Sequence, residues 1–263
     1  VDNQSEKAFQ HFILVSTGSS RMTDLKYLDI AKMIDHSLLQ PTTTEAELEA
    51  GCKLAVAYDV ASVCIMPYYL RRCADLLANS TVQPSTTIGF PHGGHKTAIK
   101  VAESAQALRD GGKELDMVVN ISQVLSGNWD YVRQEIAEIT SLAHAANAKV
   151  KVIFENCYLK DDHKIRLCEI CSELKVDWVK TSTGYGSGGA TMEDLKLMRQ
   201  HTAPTTQVKA AGGIRDYATL LQVRPLGVSR CGASRTKDIL DDCRKQLSLD
   251  PILFGGPASS SGY

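Results

Sequence analysis

Short apolar runs alternate with longer amphipathic segments at an interval of about 30 residues, the length of a βα unit. The runs that read as strands are Lys32–Asp35, Ser62–Met66, Thr86–Phe90, Leu115–Val119, Val150–Phe154, Trp178–Thr181, Gln207–Ala210 and Gly227–Cys231. The segments between them carry helix signals. Thr44-x-x-Glu47 is a capping box, in which each side chain satisfies a free backbone N–H at a helix start. Val132, Ile136, Ile139 and Ala143 follow one helical face. Gly111-Gly112 supplies the residue of positive φ that commonly ends a helix. This alternation predicts an α/β chain folded as a single (β/α)8 TIM barrel. An open, doubly wound sheet competes, but its dinucleotide-binding version needs a G-x-G-x-x-G fingerprint, and the first βα turn has none.

Three zones divide the chain. Residues 1–21 lack periodicity and read as an N-terminal extension, native or added by cloning, ahead of a start at Met22. Residues 22–250 form the predicted barrel. Residues 251–263 are Gly/Ser-rich and read as a flexible tail. Of the 263 residues, 43% are hydrophobic and 22% charged, which excludes disorder and fibrous repeats. With 29 Lys and Arg against 30 Asp and Glu, there is no basic field to hold nucleic acid. No apolar run approaches the ~20 residues that span a bilayer, and Phe12-Ile13-Leu14-Val15 is too short for a signal-peptide core. A cytoplasmic enzyme is the expectation. The eight cysteines are then reduced thiols, and Cys168 and Cys171, one helical turn apart, are buried neighbours and not a redox pair.

In a barrel the chemistry sits where strands end, and several strands end in polar groups that an apolar core would not choose. Lys180 and Lys209 stand out. Each lies late on a strand, on adjacent sixth and seventh strands, and each is followed by small residues and glycine. An amine adds to a carbonyl only when neutral, and a second cation and a desolvated site both favour the neutral form. The pair therefore points to carbonyl chemistry through an iminium. Asp116, at the neighbouring mouth, is placed either to shuttle a proton or to act as a structural partner for a lysine. Lys151 lies earlier on its strand and reads as an internal ion pair with Glu155 or Asp35.

Gly212-Gly213 and Gly232-Ala233-Ser234 follow the seventh and eighth strands, with Arg215 and Arg235 nearby and Gly184 after the sixth. In barrels this region frequently holds phosphate, through close backbone N–H groups and a helix N-terminus. His92-Gly93-Gly94-His95 lacks the further ligands that a metal site requires. Gly184-Tyr185-Gly186-Ser187-Gly188-Gly189 lacks the Gly-Lys-Ser/Thr ending of a P-loop.

Taken together, Asp35-His36-Ser37-Leu38-Leu39, Gly89-Phe90-Pro91-His92-Gly93, Glu114-Leu115-Asp116-Met117-Val118, Lys151-Val152-Ile153-Phe154-Glu155, Val179-Lys180-Thr181-Ser182-Thr183-Gly184, Lys209-Ala210-Ala211-Gly212-Gly213-Ile214-Arg215 and Gly232-Ala233-Ser234 resemble the deoxyribose-phosphate aldolase family in type and order. The resemblance implies reversible cleavage of 2-deoxy-D-ribose 5-phosphate to D-glyceraldehyde 3-phosphate and acetaldehyde. It makes Lys180 the Schiff-base nucleophile, Lys209 the cation that lowers its proton affinity, and Asp116 part of a proton relay. Gly184, Gly212, Gly213, Arg215, Gly232 and Ser234 would surround the phosphate. No metal or other cofactor is implied, because the iminium is itself the electron sink. The implied partners are small phosphosugars and aldehydes, and the implied assembly is a homodimer. Tyr185 and Arg235 depart from the family, where lysine and a second serine are common. Tyr263 ends the chain, as in some relatives, and could relay a proton. The alternatives are a Schiff-base aldolase for another sugar aldehyde and a phosphosugar-binding barrel without turnover.

Overall fold

The computed structural model describes residues 25–254, and within them eight parallel strands close into a barrel in sequence order. A short helix α1 (Tyr27–Ala31) leads into β1 (Ile34–Leu38). The units that follow are α2 (Glu45–Ala57), β2 (Ser62–Ile65), α3 (Leu70–Leu77), β3 (Gln83–Ile88), α4 (Thr97–Arg109) and β4 (Glu114–Val118). Two helices, α5 (Ile121–Leu125) and α6 (Trp129–Ala145), precede β5 (Lys149–Ile153). The circuit ends with α7 (Asp161–Glu173), β6 (Trp178–Lys180), α8 (Met192–His201), β7 (Gln207–Ala211), α9 (Tyr217–Val223), β8 (Val228–Ala233) and α10 (Thr236–Gln246). Strand β8 pairs with β1, so no edge is left open. None of the described helices is long and apolar enough to cross a membrane.

The helix signals in the sequence act where expected. Thr44 accepts from the Glu47 N–H, and the Glu47 carboxylate accepts from the Thr44 N–H at 2.7 Å. Val132, Ile136, Ile139 and Ala143 are all buried on α6. Cys168 and Cys171 are buried on α7. Burial pushes the Cys168 thiol up to about 12, so it is an inert core group.

Two strands are displaced from the sequence reading. β1 runs to Leu38 and does not stop at Asp35, because its polar residues alternate between two interiors. Asp35 faces the barrel axis. His36 faces the helix layer, where its Nδ1 lies 2.8 Å from the Thr236 hydroxyl. Lys32, placed in that strand by the reading, precedes it and bonds Asp59 and Thr81. β3 begins three residues earlier than expected. Pro84 disguised its start, but it lies before pairing with β4 begins at Ser85, so its missing N–H interrupts little.

One buried ion pair lies outside the barrel interior. Lys100 on α4 and Glu135 on α6 are both fully buried and 2.8 Å apart. Lys100 also donates to the Val118 carbonyl at 2.7 Å, and Glu135 accepts from the Asn120 N–H at 2.9 Å. The pair thus pins the end of β4 to the helices. Gly89 has a φ of +63°, and a Cβ there would meet the Lys100 side chain at 2.7 Å, so glycine is required. Lys100→Met should destabilise the fold by about 3–5 kcal/mol, because the Glu135 carboxylate would stay buried without its cation. The double replacement Lys100→Met/Glu135→Leu should recover most of that loss. Unfolding midpoints of the two variants check this; equal losses in both would contradict it.

Candidate active site

Strand alternation sends Asp35, Glu114, Asp116, Lys151, Lys180, Lys209 and Arg230 into the barrel interior, where they form one connected charge cluster. Asp116 is its hub. Lys180 and Lys209 bond the same Asp116 oxygen, Oδ2, at 2.7 and 2.8 Å, and Lys151 bonds Oδ1 at 2.7 Å. Lys209 also reaches Asp35 at 2.5 Å, and Lys151 reaches Glu114 at 2.6 Å. Arg230 grips Glu114 with both terminal nitrogens, at 3.0 and 2.8 Å, and touches Asp35. The register of β6 and β7 sets Lys180 directly beside Lys209.

The three lysines differ in how many carboxylates they meet. Lys151 lies near three, Lys209 near two and Lys180 near one. Burial lowers the proton affinity of each, but for Lys151 and Lys209 the facing carboxylates outweigh it and the net shift is upward. For Lys180 burial prevails. Asp116 opposes it, the neighbouring Lys209 charge adds to it, and the amine titrates below the ordinary lysine range. Asp116 shifts the other way. Burial would raise it, yet the Lys151, Lys180 and Lys209 charges hold it well below the usual carboxylate range. Of the three lysines, Lys180 therefore holds its proton least tightly, and Lys151 and Lys209 hold theirs more tightly than an ordinary lysine does.

Glu155 corrects the sequence reading of Lys151. Its backbone turns into the left-handed region at φ 57°, and its carboxylate accepts from the Thr183 N–H and hydroxyl instead of reaching Lys151. Lys151 is an internal ion-pair partner and Asp35 one of its carboxylates, both as expected, but Asp116 and Glu114 stand where Glu155 was expected.

A cavity opens above Lys180 at the strand C-termini. Its wall includes Ser37, Thr183, Gly212, Gly213, Arg215, Gly232, Ser234 and Arg235. Five of the six residues expected around phosphate, all but Gly184, thus lie on one wall with the lysine. Gly184 adjoins Thr183 at a φ of +91°, a turn position, but does not line the cavity. The Gly212 and Gly213 φ angles of 77° and 95° belong to the left-handed region, which lets the backbone fold closely over the opening. α10 starts at Thr236, beside Ser234, so its N-terminal N–H groups add positive potential on this side. Tyr185 donates at 2.7 Å to the carbonyl of Leu39, which lines the cavity, and meets Phe90 edge-on at 5.5 Å. Arg235 is held by Asp238 at 3.0 Å. Tyr263 lies outside the described residues.

A family model described as DeoC/LacD family aldolase matches residues 30–225, from the end of α1 through α9. The chain belongs to the DeoC/LacD aldolase family. It is 69% identical over 242 residues to a deoxyribose-phosphate aldolase of Rhodopirellula baltica, covering 92% of this chain and all of that one. A deoxyribose-phosphate aldolase of Thermococcus gammatolerans is 44% identical, covering 82% of this chain and 97% of its own. Among solved structures, the tetrameric deoxyribose phosphate aldolase of Aeropyrum pernix superposes with a TM-score of 0.78 at 28% identity. That match covers 84% of this chain and 93% of the other. In this DeoC/LacD aldolase the sequence reading gave no role to Glu114, Arg230, Ser37 or Thr183. Three of them carried a usable signal. Glu114 and Ser37 stand two residues from Asp116 and Asp35, and Arg230 two from Gly232, which puts each on the same strand face as its partner.

Proposed function

We propose that the chain cleaves 2-deoxy-D-ribose 5-phosphate reversibly to D-glyceraldehyde 3-phosphate and acetaldehyde, with Lys180 as the Schiff-base nucleophile. The observation that carries the assignment of Lys180 is its place as the only interior lysine in the cluster whose proton affinity falls, directly beneath the cavity. The neutral amine adds to the C1 aldehyde of the open-chain sugar, and loss of water gives an iminium. Removal of the C3 hydroxyl proton breaks the C2–C3 bond. Its electron pair enters the iminium to form an enamine, and C3 leaves as the aldehyde of glyceraldehyde 3-phosphate. Protonation of C2 and hydrolysis then release acetaldehyde and return the amine. Asp116, which shares one oxygen between Lys180 and Lys209, would pass the C3 proton onward to C2, directly or through water. Gly212, Gly213, Gly232 and Ser234 would receive the phosphate through backbone and hydroxyl donors, with Arg215 supplying charge and Gly184 shaping the adjoining turn.

An acetaldehyde-release assay tests this reading. Deoxyribose 5-phosphate should be cleaved, and removing the phosphate should lower kcat/KM by at least about 100-fold, since hydrogen bonds to a charged group contribute about 1.5–3 kcal/mol each. No acetaldehyde from the phosphorylated sugar would sink the function. Comparable efficiency on both sugars would sink the phosphate site alone.

A further inference from the structure

Beneath the reacting lysine, the buried cluster holds four basic groups, Lys151, Lys180, Lys209 and Arg230, against three carboxylates, Asp35, Glu114 and Asp116. With every group ionised it carries one excess positive charge in a largely buried site. It becomes neutral when one lysine gives up its proton, and Lys180, with a single carboxylate partner, is the one least held. Arg230 supplies the excess. A guanidinium stays protonated in a protein, so it cannot relieve the imbalance itself. It is fixed by the two-point grip on Glu114, by Asp35, and by stacking 4.8 Å from the centre of the Trp178 ring, whose Nε1 donates to Ser229.

We propose that Arg230 is a positioning residue for the aldolase reaction, whose fixed charge at the foot of the cluster keeps Lys180 in its nucleophilic, unprotonated form. The effect passes through shared carboxylates and not through contact with substrate. Arg230 draws on Asp35 and Glu114, which would otherwise give their full negative charge to Lys209 and Lys151. Those two lysines in turn compete with Lys180 for Asp116. The other ionisable groups facing Lys180 are Cys64 on β2 and Glu155 after β5. Burial raises the Cys64 thiol, leaving it uncharged, while Glu155 is turned onto Thr183. Neither forms an ion pair with a member of the cluster, and both stay the same in every variant below, so the comparison reads the charge at Arg230. The inference rests on Lys180 being the nucleophile, and its test separates the two.

The experiment follows the pH dependence of covalent labelling by acetaldehyde and cyanoborohydride in the full chain, with the labelled residue mapped by mass. Arg230→Met leaves three cations against three carboxylates, a balanced set even with Lys180 protonated. Its labelling midpoint should rise by about one pH unit or more, the usual effect of a nearby charge. Arg230→Lys keeps the charge and should stay near the parent midpoint. So should Arg230→Met/Glu114→Gln, which restores one excess positive charge while discarding the whole ion pair. If Arg230→Met does not fold, Glu114→Gln reads the same coupling with the opposite sign, and its midpoint should fall. An unmoved midpoint in Arg230→Met or, where that variant is unfolded, in Glu114→Gln overturns the inference. Equal movement in Arg230→Met, Arg230→Lys and the double variant also overturns it, since that pattern reports distortion and not charge. A parent adduct on a residue other than Lys180 would instead overturn the underlying assignment.

Discussion

Lys180→Arg should reduce cleavage of deoxyribose 5-phosphate by at least ~10⁴-fold, because losing the nucleophile of a covalent route removes nearly all of its rate advantage. Arginine can still donate to Asp116, but it fixes in the cluster a positive charge that Lys180 is able to shed, so the thermal midpoint should fall somewhat while the fold is kept. The guanidinium cannot supply a free electron pair to the aldehyde. Steady-state acetaldehyde release and thermal unfolding, measured together, separate lost chemistry from lost fold. More than about 1% residual kcat in a folded Lys180→Arg protein would be incompatible with covalent catalysis at that position.

Asp116→Asn should behave differently. The amide keeps the shape and one acceptor but cannot hold a transferred proton, so turnover should fall by about 10²- to 10⁴-fold, the usual contribution of a general acid or base. Iminium formation should survive. Asp116 raises the proton affinity of Lys180, so replacing it should release the amine at lower pH and move labelling downward. Trapped enzyme that turns over slowly is thus the expected signature. Turnover within about threefold of the parent would confine Asp116 to ion pairing, well short of the usual contribution of such a group.

The barrel was legible in the sequence because its period is simple: apolar runs of strand length, separated by capped amphipathic helices. Strand limits were less so wherever polar residues face inward. Asp35 looked like the end of an apolar run, whereas it is an interior position of β1 and Ser37 is the next one. The pairing of Lys180 with Lys209 was legible from their places on neighbouring strands. The third lysine was harder. Its partners looked like Asp35 and Glu155; Asp35 is one, but Glu155, two turns of the pleat away on its own strand, is not, because β5 ends at Ile153 and the chain then enters a left-handed turn. The other two, Glu114 and Asp116, come from β4, which single-strand reading does not bring against β5. The charge balance of the whole cluster depends on Glu114 and Arg230, which lie 116 residues apart. Only barrel closure joins them.

Acetaldehyde trapping on the unaltered protein tests the central claim most directly. Incubation with acetaldehyde and cyanoborohydride should fix a two-carbon group to one amine, and peptide mapping should place it on Lys180, within the Trp178–Gly184 segment. Lys209 and Lys151 should stay unlabelled, because facing carboxylates keep both protonated. An adduct on Lys209 or Lys151, or no adduct while acetaldehyde is still released, would contradict it.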